Sequence, residues 1–274
     1  MGKTWCISDI HGCFDEFMEL LDKIGFSDDD ELWLLGDYAD RGFQSADVLK
    51  WCCAAPKNVH FLLGNHDDMM CCVLRRDPKQ MSFRMSDAWS WNGGRDTVYS
   101  LWDDTDDEWR RDVLVPWLSN LPTHAVVEDF NGKEWMLVHG GFNPMKWDDS
   151  VRFWSDGVDD PTARHEYVEV GHGFGSQYEQ DMIWARPGWL DYDGDAPLPT
   201  VHGHTPTIFF GNRASSLFDL ADLEIEGEPG YVVKIRNRYD IDCGCAYHGR
   251  LAAFCLETGE TEYIERIPRE WDED

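Results

Sequence analysis

A chain of 274 residues with 42% hydrophobic content, 14 Trp and 14 Phe can bury one large core, and a single α/β domain over residues 1–274 is the expectation. Its formal net charge of -29, from 53 acidic against 24 basic residues, argues against nucleic-acid backbones and anionic membranes as partners. No stretch approaches the roughly 18 apolar residues of a membrane span, and the first residues enter a strand with no signal-like apolar region, so a cytoplasmic location is expected. The nine cysteines are odd in number, include the adjacent pairs Cys52-Cys53 and Cys71-Cys72, and contain no Cys-x-x-Cys. They read as small buried hydrophobes in a reducing compartment.

Thr4 to Ser8 reads as an apolar strand running into Asp9-Ile10-His11-Gly12, after which Phe14, Phe17, Leu20, Leu21 and Ile24 share one helix face closed by Gly25. The same unit follows twice more. Leu32 to Leu35 leads into Gly36-Asp37-Tyr38-Ala39-Asp40-Arg41-Gly42 and a helix near 46–55 stopped by Pro56. Val59 to Leu63 leads into Gly64-Asn65-His66-Asp67-Asp68 and a helix to about Arg76. Residues 77–122 read as a helical insertion packed by tryptophans, with Trp91-Asn92-Gly93-Gly94 as a turn inside it. Thr123 to Glu128 and Glu134 to Val138, split by Asn131-Gly132, make a hairpin that ends at His139-Gly140-Gly141. Residues 142–198 read as loops and short helices, and Thr200-Val201 enters His202-Gly203-His204-Thr205-Pro206. The strands between 231 and 267 read as a C-terminal antiparallel meander. Strands alternating with helices imply a largely parallel sheet with its ligand site at the strands' carboxyl ends. The Trp-Asp dipeptides lack the period of about 40 residues that propeller blades require.

Six polar residues terminate these strands: Asp9, His11, Asp37, Asn65, His139 and His204. Oxygen-plus-imidazole sets suit manganese, iron or zinc, whereas all-oxygen sets suit magnesium or calcium. Six ligands are too many for one tetrahedral ion and about right for two. Asp9 and His11 can reach one ion, Asn65, His139 and His204 the other, and Asp37 both. Two ions roughly 3.5–4 Å apart clamp a phosphate and turn a shared water into hydroxide near neutral pH. Asp40 and Arg41 then stand ready for proton handling and phosphate binding. The plainer alternative is a solvated acidic turn at Asp37 and structural histidines elsewhere; convergence of all six on one sheet edge decides between them. Trp184 and Trp91 are expected to pack near the site, His202 to support it, Asp67 and Asp68 to be acids at a helix N-terminus, and Tyr38 and Ala39 to be spacers.

The blocks Asp9-Ile10-His11-Gly12, Gly36-Asp37-Tyr38-Ala39-Asp40-Arg41-Gly42, Gly64-Asn65-His66-Asp67, His139-Gly140-Gly141 and Gly203-His204-Thr205 come in an order and spacing that resembles the calcineurin-like metallophosphoesterases, in their bacterial and phage phosphoprotein-phosphatase branch. Trp91-Asn92-Gly93-Gly94 and Ile183-Trp184-Ala185-Arg186 are similar to bacterial members as well. The resemblance implies a four-layer α/β sandwich of two mixed β-sheets flanked by helices. It implies two divalent metal ions, manganese first and iron, zinc or nickel as alternatives, held by the six residues above. His66 would be the general acid, oriented by Asp40 and keeping its proton near neutral pH through that pairing. Arg41 and Arg186 would hold phosphate oxygens, with Asn65 at the substrate as well as the second metal. The implied reaction is in-line attack of the bridging hydroxide on a phosphomonoester, without a phospho-enzyme, in a serine/threonine protein-phosphatase-like enzyme.

Two departures from the protein-phosphatase pattern bear on the substrate. Leu63 stands where those phosphatases usually carry arginine, and Asp67 where they usually carry glutamate. Leu63-Gly64-Asn65-His66-Asp67 and Asp242-Cys243-Gly244-Cys245 look more like the branch that hydrolyses symmetrical dinucleoside polyphosphates. The alternative is therefore the same fold acting on a pyrophosphate bond, so the expected partner is a phosphoprotein, a phosphopeptide or a small phosphoester or nucleotide, with the oligomeric state open. A second alternative, a non-catalytic scaffold, would have lost His66, Asp40 or a ligand, and none is lost.

Overall fold

In the computed structural model, which describes residues 2–75, 87–148, 167–186, 188–210 and 224–269, two mixed β-sheets lie face to face. The first is built by the three repeated units. Strands β1 (Thr4–Ile7), β2 (Glu31–Leu34) and β3 (Val59–Phe61) run parallel side by side, each followed by a helix: α1 (Phe14–Ile24), α2 (Ser45–Cys53) and α3 (Asn65–Leu74). On the other side of β1 the antiparallel strands β12 (Arg250–Cys255) and β13 (Thr261–Glu265) complete five strands. Phe17, Leu20 and Leu21 of α1 are buried at helical spacing, and Gly25 ends the helix in the left-handed conformation with its N–H on the carbonyls of Leu21 and Asp22.

The second sheet has the order β4 (His124–Glu128), β5 (Glu134–Val138), β8 (Thr200–His202), β11 (Arg238–Asp240), β10 (Val233–Ile235), β9 (Ile225–Glu226). Its central strands β5, β8 and β11 are parallel. A short separate hairpin joins β6 (Tyr167–Glu169) to β7 (Ser176–Tyr178). Cys6, Leu35, Leu62, Phe254 and Leu256 of the first sheet and its loops meet Trp135, Leu137, Val201 and Ile241 of the second in a shared inner core. The helices cover the outer face of the first sheet, and Phe142, Phe174, Met182 and Trp189 cover the second.

The expected C-terminal meander is two hairpins in two different sheets. β10 and β11 pair with each other and join β8, whereas β12 and β13 pair with each other and join β1. Alternation of period two specifies which face of a strand is buried, and it is silent about which sheet receives the strand. The described part of the helical insertion is mostly helical from 87 to 119, with Arg95–Asp104, Arg110–Leu114 and Val115–Ser119 packed through Leu101, Leu114 and Leu118. Its expected beginning lies outside the described residues. The Trp91-Asn92-Gly93-Gly94 turn is a kink between two helical pieces, with Gly93 at φ 103°.

Candidate active site

Every strand-terminal polar residue singled out in the sequence lies at the carboxyl end of a parallel strand, and the two sheets bring those ends to one edge. The loops there are strained. Of the nine non-glycine residues with positive φ among the described residues, six are Asp9, His11, Asp37, Asp40, Arg41 and His204. Backbone of this kind costs of order 1–3 kcal/mol per residue and persists where the surroundings over-determine it. Glycine permits the crowding at two points: a Cβ on Gly64 would collide with the Asp37 carboxylate, and one on Gly203 with that of Asp9.

Asp37 is buried at the centre. One of its oxygens lies 3.4 Å from His11 Nε2 and the other 3.4 Å from His139 Nε2, and it also accepts the His66 backbone N–H at 3.0 Å. His11 donates from Nδ1 to the Ala39 carbonyl at 2.7 Å, and His139 from Nδ1 to the Leu35 carbonyl at 2.9 Å, which turns both Nε2 atoms towards Asp37. Asn65 Oδ1 is 3.0 Å from His139 Nε2. Asp9 takes the Ser8 hydroxyl at 2.5 Å and the His204 N–H at 3.0 Å, leaving its second oxygen 3.8 Å from His11 Nε2.

Two groups of donor atoms emerge, His11 with Asp37 and His66, and Asp37 with His139 and His204, each with all its atoms within 4.8 Å. The shared member is Asp37, as the sequence reading expects of a bridging carboxylate. Asp9 stands just outside the first group. His204 Nε2 is buried without a hydrogen-bond partner among the described residues, an arrangement that ligation of a cation would satisfy. The residues therefore fit a pair of divalent cations.

Electrostatics agree with that fit. Burial pushes the Asp37 carboxyl up, but His139, His66 and His11 hold it well below the usual carboxylate range. Burial pushes His139 down, yet Asp37 and Asp9 raise it to about 9. Asp9, Asp240 and Asp242 are all raised by burial first and then by a neighbouring carboxylate, Asp37 for Asp9, Asp242 for Asp240 and Asp9 for Asp242. Crowded buried carboxylates of this kind are costly until a cation neutralises them.

The His66–Asp40 pair is formed, with Nδ1 2.7 Å from Oδ2. Burial and then Arg41 lower His66 to about 3, while burial lifts Asp40 to about 7. Burial and the Arg41 guanidinium therefore oppose the proton that the pairing with Asp40 is expected to keep on His66. Arg41 contacts both His11 Nε2 and His66 Nε2, the latter at 2.8 Å, and its backbone N–H reaches the Gly93 carbonyl. Arg186 donates to the His204 carbonyl at 3.1 Å, so both arginines expected at the phosphate border the cluster.

Several site residues escape motif reading. Trp89 Nε1 donates to Asp40 at 2.8 Å and the Thr97 hydroxyl does so at 2.6 Å, both from the helical insertion. Asp67 does more than begin a helix: its carboxylate accepts the N–H groups of Asp37, Tyr38 and Gly64. Tyr38 is no spacer either, since its buried hydroxyl donates to the Leu62 carbonyl at 2.5 Å and the ring packs on Trp117. Trp184 lies 5.9 Å from the His204 ring, whereas Trp91 is 81% exposed and away from the packing expected of it. His202 is buried against Trp189, 3.9 Å from Asp240. A further group, Cys13, Glu16 and Cys245, gathers behind the site, but Glu16 is already paired with Arg266 and Arg269 and is a poor cation ligand.

Comparison with known proteins follows the same lines. The calcineurin-like phosphoesterase family model matches residues 2–224. A symmetrical bis(5'-nucleosyl)-tetraphosphatase of Klebsiella pneumoniae is 28% identical over 96% of this chain and 93% of its own length. A protein of the same name from Nitrosococcus oceani is 24% identical over 95% of each. A crystal structure provisionally named a diadenosine tetraphosphatase superposes with a TM-score of 0.56 at 19% identity, covering 98% of this chain and 95% of the other. A protein serine/threonine phosphatase from Saccharomyces cerevisiae gives 0.54 at 14% identity, covering 97% and 81%. These last two likenesses speak for the fold alone. No helix among the described residues is long and apolar enough to cross a membrane. The chain belongs to the calcineurin-like phosphoesterase family and is a phosphoester hydrolase.

Proposed function

We propose that this protein is a symmetrical dinucleoside polyphosphate hydrolase, which cleaves diadenosine tetraphosphate into two molecules of ADP. The motifs by themselves rank a protein phosphatase first and this activity second. The observation that carries the reversal is Leu63. At the position where the protein phosphatases usually offer an arginine, this side chain is fully buried in the core beneath the helices, so no guanidinium reaches the phosphate from there. The full-length similarity to symmetrical tetraphosphatases supports the same reading.

Asp9, His11, Asp37, Asn65, His139 and His204 would hold two divalent ions, for which manganese is the proposed identity. Such ions supply a water nucleophile active near neutral pH and neutralise phosphate charge. Arg41 and Arg186 bind the phosphate chain and set it for in-line displacement. When a phosphate draws Arg41 away, His66 Nε2 is freed, the imidazole regains basicity and takes up a proton from solvent at Nε2. Held by Asp40 through Nδ1, it then passes a proton to the leaving phosphate oxygen. Asp67 anchors the loop of Asp37 to the start of α3, which fixes the distance between nucleophile side and acid side. None of the nine cysteines is in a disulfide among the described residues, which supports action in the cytoplasm.

Product analysis tests this. Manganese-loaded protein incubated with diadenosine tetraphosphate is expected to give ADP as its only nucleotide product. Release of phosphate from a phosphoserine peptide, with the dinucleotide left intact, would return the protein-phosphatase reading to first place.

A further inference from the structure

Tyr247 and Phe209 end the two short turns that leave the site on the second sheet. The turn Cys245–Tyr247 follows Asp242, and the turn Thr207–Phe209 follows His204. Their rings meet edge to face at 68° with centroids 5.3 Å apart, yet Tyr247 is 38% exposed and Phe209 37%. The turns are locked together rather than loosely apposed. Thr207 donates its N–H to the Asp242 carbonyl at 2.8 Å, and Ile208 packs on Gly244, which stands at φ 73°. The guanidinium of Arg41 lies over the Tyr247 ring, 5.0 Å from its centroid. Burial raises the Tyr247 hydroxyl above its ordinary value, and Arg41 and Arg186 pull it down while Asp242 and Asp37 push it up.

Scattered exposed aromatic side chains need no explanation. A rigid pair of them, seated against a phosphate-binding arginine at the rim of a site, is a different case, because it offers apolar surface where the next part of a bound substrate must lie. A phosphopeptide brings a variable polar chain to that place. A dinucleoside polyphosphate brings a flat base with a π face, for which aromatic side chains are the sequence-tolerant platform.

We propose that Tyr247 and Phe209 form a base-binding rim that packs on one nucleobase of a dinucleoside polyphosphate while Arg41 and Arg186 hold its phosphates. This rests on the dinucleoside reading and adds the residues that recognise the nucleoside. Tyr247 also braces Arg41, so Phe209 is the cleaner probe.

The test compares KM for diadenosine tetraphosphate with the inhibition constant of inorganic tetraphosphate, which has the phosphates without the bases, in wild type, Phe209→Ala, Tyr247→Ala and Tyr247→Phe. The ratio of KM to that inhibition constant is expected to rise about tenfold or more in the two alanine variants and to stay near the wild-type value in Tyr247→Phe. Equal weakening of both ligands, or no weakening of the dinucleotide, overturns the base rim while leaving the hydrolase reading intact. Absence of ADP production by the wild type overturns both.

Discussion

Asp40 shows how much of the chemistry depends on side chains that no motif marks. Its carboxyl is fully buried and is lifted to about 7 by that burial, against the pull of hydrogen bonds from Thr97 and Trp89 and the charge of Arg41. The geometry gives it three partners at once: His66 Nδ1 at 2.7 Å, Thr97 Oγ1 at 2.6 Å and Trp89 Nε1 at 2.8 Å. Replacing Trp89 by phenylalanine keeps most of the ring and deletes the donor. Because that donor favours the ionised carboxyl, its loss raises the Asp40 pKa further, so more of the carboxyl is neutral at pH 7 and His66 is less firmly held. We expect kcat to fall roughly tenfold and the acidic limb of the rate profile to move to higher pH. A profile from pH 5 to 9 on the variant checks this; an unmoved limb would leave Trp89 with packing alone. The metal-ligand candidates were readable because each follows an apolar strand, where a polar residue stands out. Trp89 and Thr97 lie inside a helical insertion whose sequence pattern is that of ordinary packing, and only the tertiary fold brings them to Asp40.

At the scale of elements, the three strand–loop–helix units were legible because apolar period and punctuation change together at every boundary, as at Gly25, Gly36 and Gly64. The β4–β5 hairpin was legible from Asn131-Gly132, but the residue that fixes its turn was not. Asp129 is buried and accepts the N–H groups of Asn131 at 2.9 Å and Lys133 at 3.0 Å, and the Trp135 indole N–H at 3.0 Å. Burial pushes its carboxyl up, but these hydrogen bonds leave it below the usual value. A depressed native pKa supports the fold at pH above the unfolded value of about 4 and loses that support as acid titrates the native carboxylate. Asp129→Ala strands three donors and should cost about 1–2 kcal/mol at pH 7, a fall in Tm of roughly 3–6 °C for a chain of this size. The gap between variant and wild type should narrow below about pH 4. Thermal melts at pH 7 and pH 3.5 measure both, and a gap that does not depend on pH would assign the effect to the turn's backbone instead. The last four strands were misassigned to one meander because their alternation is the same in either sheet; what separates β11 from β12 is the tight passage from Ile241 to Gly249, whose carbonyls at Cys243 and Gly244 turn the chain across the edge.

Across the whole molecule, the site is where the two sheets are tied together. Asp9, His11, Asp37 and Asn65 come from the first sheet and His139, His204 and Asp242 from the second, in a protein that already carries a net charge of -29. Folding must bring buried carboxylates together across that seam: the imidazoles of His139, His66 and His11 hold Asp37 ionised, while burial raises Asp9, Asp240 and Asp242. Cations bound by the native site and not by the unfolded chain would stabilise the fold by mass action, about 2.7 kcal/mol when present at a hundred times their dissociation constant. For a chain of this length that corresponds to a Tm higher by roughly 5–10 °C in manganese than after chelation. General screening of so acidic a surface would also raise Tm, and it would do so with any salt. The comparison must therefore be made at equal ionic strength with sodium chloride, and repeated on Asp37→Asn, which removes the shared carboxylate charge without adding bulk. We expect the manganese-specific increment in the wild type and its loss in the variant. An increment that sodium chloride reproduces, or that survives in Asp37→Asn, would mean that the seam is held by packing and the acidic surface alone answers to cations.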